Sequence, residues 1–456
     1  MNDNSFLKNY LKGEASYGFW SVATRLIGMI NTFITIGALT LYEYGSFQLL
    51  LVSYAGVATF LSIGGGVIRN DILRFEAEGR SADAKKLFYE SSIARICIGL
   101  ILWAFVFFNF GFLSFHFSAS YISLVRIISF LFLHDSIITS VTTLIEMRKK
   151  FNVIASRTSI AKAAQLLVLF YFILFKNLNL QAVVISLVIS MFITLAFLLP
   201  AFFEAYKPWK NIKNSPKNFL FKILSSYGKW ELFQPMAGKL TSFLEPWAIK
   251  LFISTEAVAI FSVAQTLLAT VASSFPVRTL STLVPFEIND EEKLRKIYTS
   301  GIKYLVSLSV VIGVGCLIFV PPFISIFFNK YVVSLPFFRV LLVNLPFLAI
   351  SAVSSIFLIA LRRQKFLFFQ KILKTIVAVA LYLLLLPLFG LWGIVIQNII
   401  LTFITTASIY IYFERTKPKL FVNWRDIFRY NEEDRIFLKK IIAIVKSYIG
   451  NKFLFR

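Results

Sequence analysis

Cysteine and histidine are nearly absent from this chain, which has two of each in 456 residues. Cys97 and Cys316 both fall in apolar stretches, so neither a disulfide framework nor a thiolate metal site is expected. His116 and His134 are too few for a histidine cluster. The run Gly64-Gly65-Gly66 lacks the Lys-Ser/Thr that completes a phosphate loop, and it reads better as helix packing or a hinge. No Ser/His/Asp arrangement, metal-ligand spacing or nucleotide motif occurs. The expectation is therefore a non-enzyme without cofactor or metal, and not an ATP-driven pump by itself. Acidic residues are also scarce: 23 Asp and Glu stand against 47 Lys and Arg, for a net charge of +24.

What the chain has in abundance is apolar length. It is 58% hydrophobic with 51 Phe, and only 15% of it is charged. That composition is polytopic membrane protein, and the expected fold is all-α. In a soluble protein the excess of cations would suggest nucleic acid; here the cations fall in loops, where they act as topology signals. Apolar spans near or above the roughly 20 residues needed to cross a bilayer appear near 17–39, 44–68, 91–112, 119–145, 156–176, 180–204, 229–252, 256–284, 301–327, 332–360, 366–388 and 391–413. The expectation is about twelve transmembrane helices. The N-terminus carries acidic residues and no small-residue cleavage pattern, so it reads as an uncleaved segment.

Loop charge sets the orientation. Arg69, Arg74, Arg80, Lys85 and Lys86 fall between one pair of spans, and Arg148, Lys149 and Lys150 between another. Further clusters are Lys207–Lys222, Lys293–Lys296 and Arg362–Lys365. The alternate loops are short and nearly free of cations, with Lys176 and Lys330 as the exceptions. The positive-inside rule then places both termini in the cytoplasm.

A repeat runs through the chain. The offset that carries Arg25 onto Lys239 also carries the basic-aromatic run Met147–Phe151 onto Arg362–Phe366, within a residue. Two six-helix halves inserted in the same orientation would be related by a pseudo-two-fold axis along the membrane normal. The expected division is a first bundle over 1–205, a basic linker over 206–228, a second bundle over 229–414 and a basic amphipathic tail over 415–456. Linker and tail both suit anionic membrane lipids.

A charge near the bilayer centre costs about 2.5–3.5 kcal/mol on insertion scales, so it marks a task. Arg25 lies on a helix face shared with Ser21, Thr24, Gly28, Asn31, Thr32 and Thr35, at three- and four-residue steps. Lys239 lies in the seventh span with Gln234, Gly238, Ser242 and Glu245, flanked by Pro235 and Pro246. Both cations suit an anionic ligand in an aqueous cavity. The competing readings are structural: a pair of Arg25 with Asp135, or of Lys239 with Glu245. Arg126, Arg339 and Arg278 are further candidate substrate-binding cations, each near enough to a helix end for snorkelling to be the alternative. Asp135 and Glu245 could bind a coupling proton or Na⁺, or could instead neutralise neighbouring cations.

The run Gly37-Ala38-Leu39-Thr40-Leu41-Tyr42-Glu43-Tyr44-Gly45-Ser46-Phe47 resembles the junction of the first two helices in polysaccharide-repeat-unit flippases. These are the Wzx-type O-antigen transporters of the multidrug/oligosaccharidyl-lipid/polysaccharide exporter superfamily. Thr255–Ala264 is similar to their seventh-to-eighth helix junction, and Glu146–Phe151 and Leu391–Val395 also fit. The likeness spans about 1–415; its departure is Leu41-Tyr42, where the usual Gly before the acidic residue is missing. It implies two six-helix bundles opening alternately to each side, with helices one, two, seven and eight lining the cavity. The implied cargo is an undecaprenyl-diphosphate-linked oligosaccharide, a precursor of lipopolysaccharide, crossing the bacterial inner membrane from the cytoplasmic leaflet to the outer one. The implied partners are this lipid-linked oligosaccharide, the glycan polymerase and the chain-length machinery. A drug/cation antiporter of the same superfamily is the runner-up, disfavoured by the excess of basic residues. A peptidoglycan-precursor flippase usually has fourteen helices, and a non-transporting scaffold would need no cation stripe.

Overall fold

The computed structural model describes residues 3–62, 65–109, 119–148, 150–213, 215–216, 218–223, 225, 229–273, 275, 277, 284, 291–361 and 363–416. Among these the regular structure is helical: α1 (Asp3–Ala38), α2 (Leu41–Ala58), α3 (Gly65–Ala77), α4 (Ser81–Asn109), α5 (Ala119–Met147), α6 (Phe151–Phe175), α7 (Leu180–Tyr206), α8 (Leu220–Ile223), α9 (Lys229–Phe252), α10 (Thr255–Ala272), α11 (Glu291–Phe327), α12 (Leu335–Leu341), α13 (Asn344–Ala360), α14 (Gln364–Phe389) and α15 (Leu391–Thr416). The all-α expectation holds. The tail beyond Thr416 and the candidate cation Arg278 lie outside the described residues.

Among the described residues ten helices are long and apolar enough to cross a membrane, and a bent pair, Asn329–Leu341 with Asn344–Ala360 at 59°, makes an eleventh span. Twelve were expected. The remaining one is α9, a helix of 24 residues that carries Lys229, Glu231, Lys239, Glu245 and Lys250. Its charges remove it from a purely apolar reading, and those same charges made it a candidate site element.

By contact the chain forms two compact units. One comprises Met1–Thr266, Val320–Phe337 and Gln364–Gln397; the other comprises Leu267–Phe319, Phe338–Arg363 and Asn398–Arg456. In the second unit Tyr298 is buried between the rings of Phe357 and Phe413, at 4.7 and 5.1 Å. Its hydroxyl meets Ser354 Oγ at 2.8 Å, and Ser351 meets Thr406 at 3.0 Å. Such hydroxyl pairs satisfy polar groups that lipid cannot.

In the first unit, the α1–α2 junction is closed by a capping box. Glu43 N–H donates to Thr40 Oγ1 at 3.2 Å, and Thr40 N–H donates to Glu43 Oε2 at 2.9 Å. Lys330, the exception to the loop-charge pattern, donates to the carbonyls of Gly37 and Leu39 at 2.9 and 2.5 Å. A cation on the last carbonyls of α1 complements the negative end of its dipole. Lys330 thus serves a helix terminus rather than orientation. The adjacent Tyr331 is fully buried and meets Tyr44 edge-on at 5.9 Å.

Described residues of the linker are held by side chains of α3 and α4. Lys85 on α4 donates to the carbonyls of Trp209 and Ile212 at 2.8 and 2.7 Å. Glu90 accepts from the amides of Phe219 and Leu220 at 3.1 and 2.9 Å. Trp209 is fully buried among Ile72, Phe75, Leu87 and Phe88, and its Nε1 donates to Glu76 at 3.1 Å. Arg148 donates to Glu76 at 2.8 Å and to the Ala205 carbonyl at 3.1 Å.

The sharpest close approach lies where α2 meets the start of α10. A Cβ added at Gly45 would stand 2.0 Å from the Thr255 carbonyl oxygen. Gly45→Ala is therefore expected to destabilise the protein by about 1–3 kcal/mol through overpacking. The check is the unfolding midpoint of the detergent-purified protein, and an unchanged midpoint would refute so tight a contact.

Candidate functional site

The candidate site is built on two helix pairs in the first unit, α1 with α6 and α9 with α14. Along the first seam Thr24 Oγ1 and Ser159 Oγ are 2.6 Å apart, and Ser159 donates to the Trp20 carbonyl at 2.9 Å. Asn31 is buried; its Nδ2 donates to the Lys162 carbonyl at 2.8 Å and lies 3.4 Å from Gln165 Oε1. Lys162 Nζ donates to the same Gln165 oxygen at 3.3 Å. The polar stripe on α1 is thus divided. Thr24 and Asn31 hold α6, whereas Arg25, next to Thr24, is exposed.

The second seam repeats the first. Thr241 Oγ1 and Thr375 Oγ1 are 2.7 Å apart. The offset that carries Thr24 onto Thr241 carries Ser159 onto Thr375 within a residue. The repeat is therefore extended into three dimensions, in a register slightly longer than the one read from loop charge. Arg25 and Lys239 are in consequence not strict mates: the hydroxyl register places Arg25 on Ser242, nearly a helical turn beyond Lys239. The cations that do match in this register are Arg157 on α6 and Lys374 on α14.

Those two, with Lys162 and Lys371, are functional candidates that sequence reasoning missed. They continue the basic runs of the preceding loops into the helix, so they read as loop charge. The available signal was their persistence: α6 begins at Phe151 and α14 at Gln364, so Arg157 and Lys374 lie well inside their helices. Lys371 lies against α9, where a Cβ at Gly238 would be 3.3 Å from its Nζ. An alanine at Gly238 would press on the end of that lysine.

The carboxylates are engaged. Asp135 on α5 receives the Tyr54 hydroxyl and stands 2.8 Å from His134 Nδ1, and Arg157 is within electrostatic reach. Glu245 is buried, accepts from Gln265 Nε2 at 2.9 Å, and lies within electrostatic reach of Lys374. Trp247, beyond it on α9, donates to Ser53 Oγ of α2 at 3.0 Å. Lys239 itself is exposed. Arg126 is exposed with its guanidinium 6.0 Å from the Phe107 ring. Arg339 is exposed on the short helix α12, in the second unit. Among the described residues no three metal-ligating side chains come together.

Helices long and apolar enough to cross a bilayer make this a multi-pass membrane protein. The chain belongs to the polysaccharide biosynthesis protein family, whose sequence pattern matches residues 10–286. No curated protein matches it significantly by sequence. Among solved structures it is similar to the lipid II flippase MurJ in an inward closed conformation, with TM-score 0.70 and 13% identity over 96% of this chain and 99% of that one. It is also similar to an inward-facing multidrug resistance MATE family transporter of the MOP superfamily, with TM-score 0.69 and 14% identity over 87% and 95% of the two chains. A third likeness is to a MOP superfamily transporter from Pyrococcus furiosus described as having a binding pocket of reversed polarity, with TM-score 0.60 and 15% identity over 88% and 93%. The fold is thus that of the exporter superfamily the junction motifs resemble.

Substituted cysteines test the division of charges. In a background lacking Cys97 and Cys316, Arg25→Cys and Lys239→Cys are expected to react quickly with a charged, membrane-impermeant thiol reagent. Arg126→Cys is expected to react slowly or not at all. Equal rates at all three positions would refute a water-filled site confined to the two seams.

Proposed function

We propose that this protein is a flippase for lipid-linked oligosaccharides, moving undecaprenyl-diphosphate-linked repeat units of O-antigen type from the cytoplasmic to the outer leaflet of a bacterial inner membrane. The observation that carries this reading is the repeated seam. Each helix pair holds cations inside an apolar span, next to fixed hydroxyls and with few acids. A diphosphate is a compact dianion that matches Arg and Lys donors. Arg25, Arg157 and Lys162 would receive it from one half and Lys239, Lys371 and Lys374 from the other, while the lipid tail stays in the bilayer. Asn31, Arg126, Arg339 and Arg278 are secondary contacts at most. Asn31 acts through Lys162, and Arg339 acts near a helix end. Asp135 and Glu245 balance neighbouring cations, and a coupling ion would act by displacing that balance.

In this proposal the halves are 1–205 and 229–414, with both termini in the cytoplasm. Export would be by alternating access, feeding a glycan polymerase and its chain-length machinery. The alternative with a specific observation behind it is transport of a cationic drug, supported by the MATE-like fold and the buried Glu245. The ratio of cations to acids in the seams weighs against it, because a cationic cargo needs the opposite lining.

Export of a surface glycan in a flippase-deleted bacterium tests the proposal at matched membrane levels. Lys371→Ala with Lys374→Ala is expected to reduce export at least tenfold, and Arg25→Ala to reduce it comparably, with Arg25→Lys partly active. Full export by all variants would place the charges in structural roles only. Drug resistance without glycan export would favour the antiporter.

A further inference from the structure

Arg95 is a buried cation that belongs to neither seam. It lies on α4 and is only 3% exposed. Helix α4 turns Ile93, Ile96, Leu100 and Ile101 outward and buries Ser91 and Ser92 on the face that carries Arg95. On that face α4 meets α5 through two serine contacts. One turn before Arg95, Ser92 Oγ donates to Ser140 Oγ at 2.8 Å. One turn after it, Gly99 lies so near α5 that an added Cβ would be 2.6 Å from Ser136 Cβ. Arg95 lies on α4 between these two contacts.

No hydrogen bond or ion pair from Arg95 to a described residue is seen. The buried Nε of Arg95 has no hydrogen-bond partner among the described residues, and no carboxylate pairs with it there. The acid on the neighbouring stretch of α5, Asp135, is taken by Tyr54 and His134. Ser136 donates to the Leu133 carbonyl, and Thr59 donates to the Ala55 carbonyl. Ser140 accepts from Ser92 and is not seen to donate to a described residue. The seam thus holds a permanently charged fork of donors and a spare hydroxyl, which together lack an anion. A guanidinium does not neutralise itself by losing its proton, so burial without an acceptor is among the costliest arrangements a fold can keep.

We propose that Arg95 is the protein half of an oxyanion site in the α4–α5 seam that takes a phosphate-type group, with Ser140 as its second donor. The planar fork of arginine binds two oxygens of such a group at once. The site is separate from both cation seams and does not depend on the flippase reading. A phospholipid headgroup and a soluble phosphate share the chemistry, and the experiment separates them.

The protein, delipidated in a neutral detergent, is melted alone, with inorganic pyrophosphate, and with phosphatidylglycerol, using diacylglycerol as the phosphate-free control. A ligand that binds only the folded state raises the midpoint. Wild type is expected to rise with one of the two phosphate probes and not with diacylglycerol. Arg95→Met, which removes the unpaired charge at similar volume, is expected to melt no lower than wild type without probe and to lose that rise. Arg95→Lys keeps the charge without the fork and is expected to bind at least tenfold more weakly, which preserves the test should the methionine variant not fold. A rise with pyrophosphate assigns a soluble anion, and a rise with phosphatidylglycerol alone assigns a lipid. Equal responses in wild type and both variants, or none in any, would overturn the proposal.

Discussion

A charge inside an apolar helix has to be held by something other than water, and this fold holds its charges along helix seams. The contact between α1 and α6 shows how. A hydroxyl pair, Thr24 with Ser159, fixes the approach of the two helices. One turn further, the Lys162 backbone is held by Asn31 while its ammonium is held by Gln165. The lysine is thereby kept at a set depth and rotation. The α9–α14 seam uses Thr241 with Thr375 for the same purpose and places Lys371 against Gly238. Individual hydrogen bonds of this kind average about 0.6 kcal/mol in membranes, so their value is positional more than energetic.

Much of this was legible in the chain. Length, apolar spans and loop charge indicated a polytopic helical protein, and the junction motifs around Thr40-Leu41-Tyr42-Glu43 indicated the superfamily. The same junction proved to be a capping box, which explains why Thr and Glu stand one helical turn apart there. The repeat was legible too, but its register was not. Loop cations tolerate small shifts, because any position near the membrane surface serves orientation. The hydroxyl pairs align Thr24 with Thr241 and Ser159 with Thr375, to within a residue of a single offset.

The candidate site was read less completely, for a physical reason. Sequence periodicity gives the face of a helix but not which neighbour covers it. The stripe on α1 reads as one face in the chain, whereas in the fold Asn31 donates to α6. Arg157 and Lys374 were missed because a cation two or three turns inside a helix looks like the tail of a basic loop until the helix start is known. Arg95 was missed for another reason. A lone arginine in an apolar run carries no pattern, and only its burial without an acceptor distinguishes it from a snorkelling residue.

The clamp on the linker has a consequence for the order in which the protein is made. Every side chain that secures Trp209, Ile212, Phe219 and Leu220 by these hydrogen bonds comes from α3 or α4, both earlier in the chain. The same is true of the α1–α6 seam, whose partners all precede Leu166. By contrast Gly45 waits for Thr255, and Ser53 waits for Trp247. Domains made during synthesis fold from the N-terminus onward. The chain up to Ile223 can therefore lock as a unit while the ribosome is still producing the second half, and α2 keeps one unsatisfied face as the template on which α9 and α10 later settle.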